Sequence, residues 1–84
     1  MNIKEIALSV IQVLYNSAES AKTLQTKLSY RDICAIRTEL DKDTLKMALE
    51  YLQGHGYVTF RDHPVFQDIC ITSIGVDYYL ENYQ

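Results

Sequence analysis

Apolar residues return along this 84-residue chain at two different periods, and the change of period divides it into helices and strands. From Ile3 onward, Ile6, Ala7, Val10, Ile11 and Leu14 recur at helical spacing behind an Asn2 to Glu5 capping signal, which predicts a first helix over about Ile3 to Tyr15. Leu8, Ile11 and Tyr15 form a second apolar line on that helix. The following Ser, Thr, Ala and Lys-rich stretch suggests a further short helix around Ala18 to Leu24. Ser29 and Asp32 frame another cap, predicting a helix over Tyr30 to Arg37 that buries Ile33, Ile36 and Cys34, with Thr38 to Leu40 as a turn. Asp41 then caps a third helix whose Leu45, Leu49 and Leu52 fall on one side, and Gly54 and Gly56 end it. Period two takes over in Tyr57 to Arg61 and Asp68 to Thr72, a hairpin whose tip holds Asp62, His63 and Pro64. Ser73 is positioned to cap a last helix reaching Tyr83 and tolerating Gly75 near its start.

These elements give a mainly α (α+β) chain forming a single domain over residues 1–84, with no internal repeat, low-complexity tract or linker. Its hydrophobic fraction of 48% and charged fraction of 23% are those of a folded unit. No apolar run reaches the roughly 20 residues that span a bilayer and no signal segment is evident, so the expected setting is cytoplasmic, without membrane contact. There Cys34 and Cys70 are expected to remain reduced, as small apolar groups.

The net charge of −3 opposes indiscriminate attraction to phosphate, but it is unevenly spread. Residues 22 to 46 carry six basic and four acidic side chains, whereas residues 47 to 84 carry one and five. Catalysis finds little to work with. Cys34, His55, His63 and Cys70 lack short metal-site spacing and no third group orients a Cys–His pair, so neither an enzyme, a metal nor a cofactor is expected. Gly54-x-Gly56 follows a helix instead of opening one, unlike a phosphate cradle. The aromatic set Tyr57, Phe60, Phe66, Tyr78, Tyr79 and Tyr83 is expected to pack ribbon and last helix, with Phe66 near the hairpin tip as a potential wedge.

Leu40-Asp41, Thr44-Leu45, Leu49, Leu52 and Gly56-Tyr57-Val58, in an order helix, helix, turn, helix, two-stranded wing, terminal helix, resemble the winged helix-turn-helix family over nearly the whole chain. Ile71-Thr-Ser-Ile-Gly75-Val-Asp-Tyr-Tyr-Leu80 likewise resembles the closing segment of small bacterial winged-helix regulators. The resemblance implies a three-helix core, a two-stranded β wing and a third helix that enters a DNA major groove. Lys42, Asp43, Thr44, Lys46, Met47 and Glu50 would then face double-stranded DNA, flanked by Arg31 and Arg37 and, on the wing, Arg61 and His63. A transcriptional regulator with so few cations needs a second copy to bind phosphate firmly at cellular salt. Leu8, Ile11, Tyr15, Val76, Tyr79, Leu80 and Tyr83 are the expected homodimer surface. The rival expectation is a winged-helix module whose third helix and wing dock on another protein, with no DNA contact. A continuous positive strip through Arg31, Arg37, Lys42, Lys46 and Arg61 favours the first, and acidic interruption the second.

Overall fold

Among the described residues, sixteen apolar side chains between Ile6 and Ile71 share one continuous core, and the long first helix runs through the middle of it. The computed structural model describes residues 2–61 and 67–82. Its elements are α1 (Ile3–Ala21), α2 (Tyr30–Ile36), α3 (Lys42–Gly54), β1 (Val58–Arg61), β2 (Gln67–Ile71) and α4 (Ser73–Asn82). Among the described residues, four helices and one antiparallel two-stranded sheet make a small α+β fold, compatible with a winged-helix layout. The hairpin tip at 62–66, and with it His63 and Phe66, lies outside the described residues, as does Tyr83.

The Asn2 side chain accepts the Glu5 N–H and starts α1 as expected, but the helix continues past Tyr15 to Ala21. Ala18 explains the extension: it lies four residues beyond buried Leu14 and is itself buried, so the core stripe carries on through an otherwise polar segment. Instead of a separate helix over Ala18 to Leu24, α1 ends at Lys22. Its left-handed backbone (φ 60°) lets its N–H reach the carbonyls of Ala18 and Glu19.

Ser29 and Asp32 form the full reciprocal capping box of α2, each backbone N–H donating to the other's side chain. Ile33 is buried, but the expectation for Ile36 fails, since it is 58% exposed. At that level it is Arg37, one residue on, that turns back to α1, donating from Nε to the Ser9 carbonyl and from its terminal nitrogen to Gln12 Oε1. In α3 the expected pattern holds: Asp41 Oδ1 accepts the Thr44 N–H at 2.7 Å, and Leu45, Ala48, Leu49 and Leu52 are wholly buried. The helix exit uses Gly56 at φ 78°, a conformation that costs residues with a Cβ, and Tyr57 N–H returns to the Leu52 carbonyl.

β1 and β2 pair with Val58 opposite Ile71 and Thr59 opposite Cys70, then slip so that Arg61 faces Gln67. Leu28 joins them from outside, exchanging both backbone hydrogen bonds with Ile69 at 2.9 and 3.1 Å. No alternation around Leu28 announces that bridge. It anchors the entry to α2 on the ribbon. At the far end Thr72, not the expected Ser73, caps α4: its Oγ1 accepts the Gly75 N–H and donates to the Gly56 carbonyl. One hydroxyl therefore joins the exit of α3 to the start of α4.

Candidate interaction surface

With its leucines turned inward, α3 presents a crown to solvent. Helical geometry puts Asp43, Met47, Glu50 and Gly54 farthest from the buried side, with Lys42 and Lys46 on one flank and half-buried Thr44 and Tyr51 on the other. All of the crown residues are exposed, and Met47 keeps 49% of its surface in water. Lys46 stands three residues from Asp43 and four from Glu50, so both carboxylates are its neighbours on the helix surface. The two lysines and two carboxylates of α3 cancel formally.

The cations expected to reinforce that helix are dispersed. Arg37 is held against α1 by Ser9 and Gln12, which removes it from any strip beside α3. Arg61 forms an ion pair with Asp68 at 3.2 Å, across the ribbon. Such an exposed pair adds little stability but cancels the local charge. Only Arg31 and Lys42 gather, around the Tyr30 ring: the Lys42 ammonium stands 5.1 Å and the Arg31 guanidinium 5.8 Å from its centre. Arg31 Nε also donates to the Tyr30 hydroxyl. That hydrogen bond, with the charges of Arg31 and Lys42, holds the phenol below its ordinary pKa. Tyr30 was not among the residues singled out from the chain, and the signal was faint: an aromatic beside Arg31 whose ring meets Lys42 only once two helix starts converge.

The surface expected for self-association is placed unevenly. Ile11 is fully buried inside its own chain, because its turn of α1 faces the core, and it cannot line an interface. Leu8, Val76 and Tyr79 are half-buried, and Tyr15 stacks on Tyr79 with ring centres 4.6 Å apart. Beside this stack an apolar cleft of about 350 Å³ opens between α1 and α4, lined by Tyr15, Ala18, Leu24 and Val76 with Glu19 and Lys22 at its rim. Leu24, at 42% exposed, lines the cleft, and Leu80, at 37% exposed, lies one helical turn beyond Val76. On the opposite side a second run of rings, Tyr51, His55, Tyr57 and Tyr78, links the end of α3 to α4; Tyr57 and Tyr78 stack at 4.1 Å.

Both thiols are free, half-buried and pushed up in pKa, chiefly by desolvation. Among the described residues no three His, Cys, Asp or Glu side chains converge to hold a metal, and no helix is long and apolar enough to cross a membrane. The class defined so far is that of a small α+β protein presenting one charge-balanced helix. Comparisons of the chain with protein-family models, curated proteins and solved structures return no significant match.

Proposed function

We propose that the chain is a winged-helix-like module that docks on another protein through the crown of α3. The observation that carries this reading is the crown itself: a half-exposed methionine framed by Asp43, Lys46 and Glu50. An apolar centre within a charged frame matches the anatomy of protein interfaces, where methionine is enriched at the core and charges set register at the rim. DNA presents a dense row of phosphates, and a crown whose outermost charges are Asp43 and Glu50 would repel them. The interruption of the strip at Arg37 and Arg61 weighs in the same direction.

The test is a photo-crosslinking residue in place of Met47, with the same residue in place of exposed Thr59 on β1 as control, expressed in the native host. Protein adducts from position 47 and not from 59 are the expected result. Adducts to nucleic acid from position 47, or steeply salt-dependent binding of a duplex, would replace this reading with the DNA regulator.

A further inference from the structure

The starts of α2 and α3 converge on one cationic corner. Tyr30, Arg31 and Lys42 form it, and Lys46 follows Lys42 one turn along the same flank of α3. Of the four acids close in sequence, Asp32 closes the capping box with Ser29, Asp41 accepts the Thr44 N–H, and Glu39 is exposed in the turn between the two helices. Asp43 follows Lys42 in sequence but sits about 100° farther around the helix, on the crown. Among the described residues the one ion pair is that of Arg61 with Asp68, on the ribbon. The corner thus brings two exposed cations onto one ring in a molecule of net charge −3.

Resting on the crown reading above, we infer that the protein partner of α3 carries an acidic segment whose carboxylates seat between Arg31 and Lys42. A peptide can place separate carboxylates at the corner while turning apolar or basic groups toward Met47, Asp43 and Glu50. A phosphate backbone cannot make that alternation, since its charges follow one another without a break. The guanidinium of Arg31 can donate two hydrogen bonds to one carboxylate, Lys42 adds a point charge, and both cations lie over the Tyr30 ring.

The experiment titrates isotope-labelled protein with a short poly-L-glutamate peptide and, separately, with a random-sequence DNA duplex, following Arg31, Lys42 and the Tyr30 ring by NMR. The expected result is a saturable response to the glutamate peptide centred on those three residues. Two exposed ion pairs account for a loss of about five- to tenfold in affinity when Arg31→Glu and Lys42→Glu are combined. Both substitutions put an acid in the first turn of a helix, where it is favourable, so thermal stability should be retained while binding falls. Three results overturn the inference: tighter duplex binding at the same resonances, a response spread evenly over Lys4, Lys22 and Lys27, or no effect of the double reversal. The two readings fail separately, because nucleic-acid adducts from position 47 with an intact glutamate response overturn the crown reading alone.

Discussion

A Cβ at Gly75 would stand 2.1 Å from the Tyr57 carbonyl oxygen and 2.9 Å from the Ile71 side chain. The first neighbour is backbone, anchored by the Thr72 N–H that donates to it, so it cannot swing aside as a side-chain tip would. Gly75→Ala is therefore expected to destabilise by about 2–3 kcal/mol, the usual cost of overpacking a close contact, despite alanine's better helix propensity. Urea unfolding measures this, and a parallel loss of near-ultraviolet circular dichroism would report separation of the Tyr57 and Tyr78 rings. A variant as stable as the parent would mean that α4 does not sit this close. The position reads in the sequence only as a tolerated helix glycine; its reason is a carbonyl eighteen residues away.

At the scale of elements, the ends of helices repay attention more than their middles. Asp41 holds the start of α3 through the Thr44 N–H, and chiefly this backbone bond keeps its carboxyl below the usual value of 3.8. A depressed folded-state pKa contributes stability that is present above the unfolded value and lost as pH falls through the folded one. Acidification below about pH 4 should accordingly loosen α3. Asp41→Asn keeps a capping oxygen and removes the titration. Its stability at neutral pH is expected to lie close to that of the parent, with a shallower acid limb in thermal melts recorded between neutral and acid pH. An unchanged acid limb would show that other carboxylates dominate. Asp41, Ser29 and Asn2 were legible as caps because their chemistry is local. Thr72 was not, since its second partner, the Gly56 carbonyl, is distant in sequence.

For the molecule as a whole, the expected homodimer surface is reduced by the withdrawal of Ile11 into the core, and an apolar cleft between α1 and α4 lies beside what is left of it. We propose a weak dimer in which Leu24 and Leu80 of each copy cover the partner's cleft. Sedimentation equilibrium should then show a concentration-dependent dimer, shifted at least tenfold toward monomer by Leu80→Glu, a change of about 1.4 kcal/mol. The exposed position makes the variant safe for folding. A parent chain that stays monomeric at high concentration would remove the dimer, while leaving the crown of α3 untouched. Electrostatics belong to this scale too: the charge-rich middle of the sequence did not become a positive face, because Arg37 turned to α1 and Asp43 and Glu50 took the outermost line of α3.

By itself the chain determined the identity and order of the three principal helices and the ribbon, their caps, and the buried side of α3, since periodicity and capping act within a few residues. Only the tertiary structure decided that α1 runs on to Ala21, that Ile36 faces water while Arg37 braces α1, that Leu28 pairs with Ile69, and that Tyr30 gathers two cations. Apart from Ala18 and Arg31, which are near in sequence to what they continue or meet, each of these depends on groups far apart in the chain meeting in space. Burial and charge placement follow from that meeting, and no local pattern encodes it.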